Sequence, residues 1–341
     1  MGIGENLKRY RLINELSLAE VGKRLSISPT AVAKYEKEII IPDSKRLIEF
    51  SKMYKIPVYN LIKSYMMPTM KLDTFRKKSR LVGKKLEVLQ SIIQIDVSKY
   101  IEVLQLSGIK PNYKLEKIEC NSIEDAENVA YNFRKKYLSP LLPIQNLTNI
   151  LENLGIYLIS IRNQNGMFNG FDGISEKIGD IPFIVSLDIE DGARQRFTIA
   201  HELGHLLISV KGNQEESICH RFAGALLLPK EAMINEFGSK RHHINFTELE
   251  IIKNEYGVSN QAIIYRLRDL KIINESTYRN LCMLINKQIT KSNQQIFPKE
   301  ITHQYERIVL KLQSQEIISA KKAAEYLEIT IDEYYQRNNN S

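Results

Sequence analysis

Two histidines separated by three residues stand inside a stretch of strong helix formers. Residues 194–209 read RQRFTIAHELGHLLIS, with apolar residues at the spacing of one helical face. Four residues span a little more than one helical turn, so His201 and His205 are predicted to project from the same face. Their two imidazoles are then able to hold one metal ion. The composition gives roughly 0.01 such patterns by chance, so the pattern constrains both fold and chemistry.

Glu202, next to the first histidine, is predicted to lie beside the metal ion and not on it. Zinc lowers the pKa of a bound water to roughly 7, and an adjacent carboxylate is able to take its proton during attack on a carbonyl. This is the chemistry of a peptide hydrolase, with Glu202 as general base. The alternative, two histidines on an ordinary helix surface, must explain why two of the six histidines share one apolar helix.

A tetrahedral catalytic zinc takes three protein ligands and keeps one position open. Residues 214–229, QEESICHRFAGALLLP, predict a second helix just downstream that supplies the candidates. Glu216 is the first choice for third ligand, His220 the alternative and Glu215 the third choice. For each of them a capping or solvated role is equally well supported by the pattern. Cys219 is expected to be a core residue.

The segment before the two helices changes from helical to strand periodicity. Residues 125–155 are expected to be helical, whereas 156–161 and 181–187 are β-branched runs that predict strands joined by the Gly- and Asn-rich residues 163–173. We expect 181–187 to be the strand next to the metal. Two interpretations of it stay open: an exposed edge that pairs with an extended substrate, or an ordinary core strand.

The N-terminal sixty residues predict five short helices from Gly4 to Ile62. Ser17 is placed to cap the second helix in a capping box with Glu20, and Ser28 is placed to cap a third helix that begins at Pro29. Two helices joined by such a short turn are the geometry that lays a helix in the DNA major groove.

Length and charge support this division of the chain. The 341 residues are enough for two or three domains. Residues 1–117 hold 23 Lys and Arg against 12 Asp and Glu, a net charge of +11, and the remainder is −3. A basic head attracts a polyanion such as DNA, although Lys as a common surface residue explains the charge equally well. Three unclustered cysteines, no signal peptide and no long apolar run lead us to expect a cytoplasmic protein without a membrane partner.

Residues 16–62, LSLAEVGKRLSISPTAVAKYEKEIIIPDSKRLIEFSKMYKIPVYNLI, resemble the helix-turn-helix domain of XRE-type and lambda-repressor-like regulators. That family usually opens its second helix with a Gln, where this chain has Leu18. The resemblance implies binding to double-stranded operator DNA, and a homodimer is expected because paired half-sites strengthen weak readout. The alternative is a protein-binding module that has lost its DNA role. The DNA-facing candidates are Ser28, Pro29, Thr30, Ala31, Lys34, Lys37 and Lys45.

RFTIAHELGHLLI followed by E…RFAGALLLPK resembles the ImmA/IrrE metallopeptidases, over about residues 124–274. The resemblance implies a Zn²⁺-dependent endopeptidase that cleaves a helix-turn-helix repressor and so derepresses stress or mobile-element genes. His201, Glu202 and His205 match the family motif directly. This chain departs from the family at Cys219 and His220, where small residues or Asn are common, and in carrying its own DNA-binding head.

We therefore predict an α+β, mostly α, protein. The expected domains are a lambda-repressor-like five-helix head (1–66), a helical connector (67–120), a zincin-like peptidase domain with a small sheet (121–285), and a hinge with a final pair of helices (286–341). The predicted function is a DNA-binding zinc endopeptidase that cleaves a transcriptional repressor. The alternative function is a transcription regulator or antitoxin-like protein whose zinc site is structural or sensory.

Overall fold

The computed structural model describes residues 2–63, 81–110, 116–163, 166–289 and 296–339. These residues are mostly helical with two small sheets, which confirms the α+β, mostly α, class. The chain forms two compact units: Met1–Lys110 with Gln164–Phe171 and Tyr305–Ser341, and Pro111–Asn163 with Asp172–Gln304. The predicted domain boundaries stay predictions, and the break expected at 66–69 lies outside the described residues. No helix in the described ranges has both the length and the apolar character needed to cross a bilayer.

The elements are numbered along the chain over the described residues. The helices are α1 (Ile3–Ile13), α2 (Leu18–Leu25), α3 (Pro29–Glu36), α4 (Ser44–Tyr54), α5 (Val58–Ile62), α6 (Lys84–Ser107), α7 (Ile123–Tyr137), α8 (Leu147–Asn153), α9 (Gly192–Leu207), α10 (Glu215–Leu227), α11 (Lys230–Phe237), α12 (Phe246–Tyr256), α13 (Asn260–Asp269), α14 (Glu275–Ile289), α15 (Gln304–Ser314), α16 (Ala320–Tyr326) and α17 (Ile331–Asn339). The strands are β1 (Ile118–Cys120), β2 (Tyr157–Arg162), β3 (Gly173–Ile178), β4 (Ile181–Asp188) and β5 (Ile208–Val210).

In the head, α1 to α5, capping side chains lie at the starts of α2 and α3. The Ser17 hydroxyl accepts a hydrogen bond from the Glu20 amide, and the Glu20 carboxylate accepts one from the Ser17 amide. The Ser28 hydroxyl accepts from the Ala31 amide at the start of α3. These side chains satisfy amide groups that a helix start otherwise leaves unpaired. The helices then close around a core of Leu7, Tyr10, Leu16, Val21, Val32, Phe50, Tyr54 and Leu61.

The second unit contains both sheets. In the three-stranded sheet β2 runs parallel to β4, β3 runs antiparallel to it, and the strand order is β2-β4-β3. Of the two interpretations of 181–187, the structure supports the core strand and not the exposed edge, because β4 is the central strand between β2 and β3. β3 was not predicted as a strand, and neither was the two-stranded sheet in which β1 pairs with β5.

Two helical expectations also need correction. Residues 125–155 are not one helical stretch, since α7 ends at Tyr137 and α8 begins at Leu147. Pro140 and Pro143 lie in the intervening segment, and proline cannot continue a helix because it lacks the amide hydrogen. The C-terminal segment holds three helices, α15 to α17, and not a pair.

Close packing of α9 against α10 fixes the part of the fold that matters for the site. A Cβ atom added at Gly204 of α9 would lie 3.1 Å from Phe222 Cδ1 and 3.3 Å from Cys219 Cβ of α10. Ala223 is fully buried at the same contact. The absence of a side chain at Gly204 therefore lets the two helices approach each other at the level of the histidines.

Candidate metal centre

Three side chains on α9 and α10 bring possible metal-ligating atoms close together, one nitrogen from each of two histidines and both carboxylate oxygens of a glutamate. His201 Nε2 and His205 Nε2 are 3.2 Å apart. The Glu216 carboxylate faces both, with Oε2 at 3.1 Å from His201 Nε2 and Oε1 at 3.4 Å from His205 Nε2. Ligand atoms on a tetrahedron with bonds of about 2.0–2.2 Å lie roughly 3.3–3.6 Å from one another. The donor set and its spacing therefore fit a divalent ion such as zinc.

The two histidines also hold the pKa of Glu216 well below its usual range. The hydrogen bond with His201 is the largest cause, followed by the hydrogen bond with His205. A carboxylate that stays ionised is the form that ligates a cation.

Glu202 follows His201 on α9 and is buried against the sheet, with 3% of its surface exposed. One carboxylate oxygen of Glu202, one ring nitrogen of His201 and one ring nitrogen of His205 lie within 4.8 Å of one another. The Ser175 hydroxyl, on β3, donates a hydrogen bond to Glu202 Oε2 at 2.8 Å. The carboxylate is thus held next to the centre by a strand residue that the sequence did not single out.

Glu215, the third choice of ligand, meets the opposite nitrogen of His205. Its Oε1 lies 2.8 Å from His205 Nδ1, whereas Nε2 is the nitrogen that faces His201 and Glu216. Cys219 Sγ lies 3.5 Å from the same Nδ1 and is fully buried, which confirms it as a core residue. A carboxylate on the rear nitrogen orients an imidazole and increases its basicity as a ligand.

His220, the alternative ligand, lies one turn after Glu216 on α10. Its ring centroid is 4.5 Å from that of His201 and 5.6 Å from that of Phe197. Desolvation lowers the pKa of His220, and the neighbouring His201 lowers it further. The ring therefore lies beside the centre as a neutral imidazole at neutral pH.

The candidate DNA contacts lie at or near α3, with Ser28 as its N-cap, Lys37 as its C-cap and Lys45 at the start of α4. Ser28, Pro29, Thr30 and Lys34 are exposed there and Ala31 is half-buried, while Lys37 and Lys45 are exposed beyond the helix. The one buried residue in the middle of α3 is Val32, which points into the head's core. The polar face of α3 is therefore presented to solvent.

Gly173, the first residue of β3, is the sequence feature that corresponds to the close contact between this strand and Glu202. A Cβ atom at this position would lie 2.9 Å from Thr198 Cγ2, 3.1 Å from Glu202 Cγ and 3.1 Å from the Val185 carbonyl oxygen. Glycine is therefore required for helix α9 to approach the sheet. A glycine followed by a β-branched residue and a serine is too common a pattern to predict this from sequence.

Gly173→Ala should destabilise the fold by about 1–3 kcal/mol, because the added methyl group overpacks a contact that includes backbone atoms. Urea unfolding followed by circular dichroism measures this. Gly224→Ala is the matched control, since the nearest atom to its Cβ lies 3.9 Å away and alanine is a better helix former. An equal loss of stability in both variants would contradict the contact.

Comparison with known families agrees with this arrangement. Residues 7–61 match the helix-turn-helix family model, and residues 151–268, which include α9 and α10, match the M78 peptidase model described as the IrrE N-terminal-like domain. No curated protein matches the chain. One chain thus contains a segment similar to helix-turn-helix domains and a segment similar to IrrE/ImmA-type peptidase domains.

Proposed function

We propose that the protein is a DNA-binding, zinc-dependent endopeptidase that cleaves a transcriptional repressor and so derepresses stress or mobile-element genes. The convergence of His201 Nε2, His205 Nε2 and the Glu216 carboxylate within 3.4 Å of one another carries this proposal. These three residues would hold the ion. Bound zinc would act as a Lewis acid that polarises the scissile carbonyl and lowers the pKa of a bound water, so that the water loses a proton readily and becomes a better nucleophile.

Glu202 is the proton-handling group in this proposal. Its carboxylate accepts a proton from the attacking water and returns it to the leaving amine, as a general base and then a general acid. The Ser175 hydroxyl fixes one carboxylate oxygen, so the group keeps one orientation. Burial of Glu202 among α9 and β3 limits the bulk water that reaches it.

β3 is the strand that we propose to receive the substrate. It is the outer strand of its sheet on the side of Glu202, and β4 pairs with its other edge. An extended peptide added to such an edge is held by backbone hydrogen bonds, which fixes the scissile carbonyl relative to the site.

The head supports a role on DNA. Its predicted groove face is exposed and carries Lys34, with Lys37 and Lys45 nearby. A peptidase tethered to operator DNA meets any repressor bound there at high effective concentration. We propose that this recruitment, in the cytoplasm, is the purpose of the fusion.

The alternative is a regulator whose zinc site is structural or sensory. His220 favours it, because its ring centroid lies 4.5 Å from that of His201, close enough for its imidazole to be tested as a fourth donor. A closed four-ligand zinc site leaves no position for water and is typical of structural sites.

Glu202→Gln should keep bound zinc and lose peptidase activity by about 100-fold or more, because the amide cannot accept the proton. Cleavage is measured with a casein digest and with candidate repressors, and zinc by atomic absorption. Glu231→Gln, an exposed residue of α11, is the control. Full peptidase activity in the Glu202 variant would contradict its role as general base, and zinc binding without cleavage by either the wild-type protein or the variant would favour the regulatory function.

The ligand set is separable by zinc titration with a competing chelator. Glu216→Ala should remove stoichiometric zinc, because only two imidazoles remain, while His220→Ala should leave the zinc content at one per chain. Glu215→Gln should weaken zinc binding by about 10–100-fold, as loss of a group behind a ligand does. Loss of zinc in His220→Ala with retention in Glu216→Ala would reverse the assignment.

Lys34→Ala should weaken binding of the full chain to its own promoter DNA and reduce the slope of log K against log salt by about 1, since one phosphate contact is lost. Fluorescence anisotropy at several salt concentrations measures it. Lys177→Ala, an exposed lysine of β3 in the other unit, serves as the control. An unchanged slope would show that Lys34 makes no phosphate contact, whereas a wild-type chain without salt-dependent DNA binding would favour the protein-binding alternative.

A further inference from the structure

The last three helices repeat the first three. The turn between α2 and α3 contains Ser26 in the left-handed region, with φ 53°, and the turn between α16 and α17 contains Glu328 with φ 57°. These two residues are 302 positions apart. In both turns the following amide bonds back to the preceding helix, Ile27 to the Gly22 carbonyl at 2.9 Å and Ile329 to the Ala324 carbonyl at 3.1 Å.

The helix caps keep the same offset of 302 residues. Ser17 and Ser319 each cap the first helix of the pair by accepting from the amide three residues on. Ser28 and Thr330 do the same for the second helix. Local hydrogen bonds of this kind fix where a helix begins and how the next one leaves the turn.

The core positions coincide as well. Val21 and Ala323 are both fully buried, and Val32 and Tyr334 are buried at the middle of the second helix. The preceding helices, α1 and α15, both end at a left-handed Glu, Glu15 and Glu316, with one extra residue in the later connection. The helices α15 to α17 therefore contain a second helix-turn-helix, and from Tyr305 onwards they belong to the same compact unit as the head.

The first turn of the repeat's second helix is acidic where that of α3 is not, and the one arginine of α17, Arg337, lies a turn later and pairs with Glu306 at 3.9 Å. Thr30, Ala31 and Lys34 of α3 correspond to Asp332, Glu333 and Gln336 of α17. Asp332 and Glu333 are exposed, and Glu333 caps its own helix through Thr330. Carboxylates at the end of the helix that would enter a groove are repelled by phosphates. This copy of the motif is therefore unsuited to DNA.

The repeat is attached to the rest of its unit through α16 and the turn, which leaves α17 outward. Lys322 lies over the rings of Tyr59 and Tyr326, at 4.5 and 4.7 Å from their centroids, and Glu328 pairs with Lys99 of α6. The side chains of Asp332, Tyr335 and Gln336 remain exposed.

We infer that α17 binds the basic α3 face of a second copy of this chain. The two faces have complementary charge, with Lys34 and Lys37 on one and Asp332 and Glu333 on the other. Exposed apolar side chains flank both: Ile39 and Ile41 are 66% and 74% exposed beside Lys37, and Tyr335 is 50% exposed on α17.

A two-fold dimer satisfies both contacts at once, because each copy offers one face of each kind. In that dimer the DNA-reading face is covered, so dimerisation and DNA binding compete for the same lysines. The inference does not depend on peptidase activity.

Charge reversal in the full chain tests it. The wild-type protein should be a dimer at low salt in sedimentation velocity, and should dissociate on addition of salt or of duplex DNA. Asp332→Lys and Lys34→Glu should each weaken self-association about tenfold or more, and the double variant should recover most of it, because the pair is restored with reversed signs.

Asp180→Lys, an exposed reversal on the β3–β4 turn of the other unit, is the control and should leave the dimer unchanged. Gln336→Glu adds charge to α17 without touching the cap and should strengthen association. A protein that stays monomeric at low salt, a dimer indifferent to Asp332→Lys, or an Asp332→Lys variant that gains DNA affinity while the dimer persists would each overturn the inference.

Discussion

The contact between α9 and α10 is the constraint on which the metal centre depends. Two imidazoles one turn apart are available on any helix with this spacing, but two ligands do not hold a catalytic zinc. The third donor has to come from another helix, and here that helix packs closely against position 204. A Cβ there would lie 3.1 Å from Phe222 and 3.3 Å from Cys219 and would push these neighbours away by a few tenths of an ångström, so Gly204 contributes to the close approach of the helix that carries Glu216.

A buried clamp fixes the other end of α9. Arg196 pairs with Glu300 at 2.7 Å, and both side chains are almost fully buried. The Gln195 side chain bonds both the amide and the carbonyl of Glu300, and the second Glu300 oxygen accepts from the Thr148 amide at the start of α8. Taking two charges out of water is costly, and these extra hydrogen bonds offset that cost. The segment around Glu300 thus holds the helix that carries His201 and Glu202.

The sequence predicts the parts of this protein that local rules control. Caps at Ser17 and Ser28 determine helix starts within a few residues, so the head could be predicted almost element by element. The histidine pair follows from helical spacing alone. Spacing cannot tell which side of an imidazole a carboxylate meets, so the positions of Glu215 and Glu216 around His205 had to come from the packing of two helices. β3 and Ser175 were missed because their pairing with β4 and Glu202 is set by tertiary contacts and not by local periodicity.

Different residues determine the backbone geometry of these helices and the chemistry of their exposed faces. The first and last helix pairs share caps, turn conformation and core positions, yet Lys34 on one corresponds to Gln336 on the other and Thr30 to Asp332. Backbone geometry is set by residues that point inward or cap the helices, and it leaves the outward positions unconstrained. The metal centre shows the same division. His201, His205 and Glu216 are brought together by helix packing, and the ring centroid of His220 lies 4.5 Å from that of His201 beside them. Under the proposed function, a His220 ring that stays off the ion would leave a position for water, whereas one that binds it would close the site.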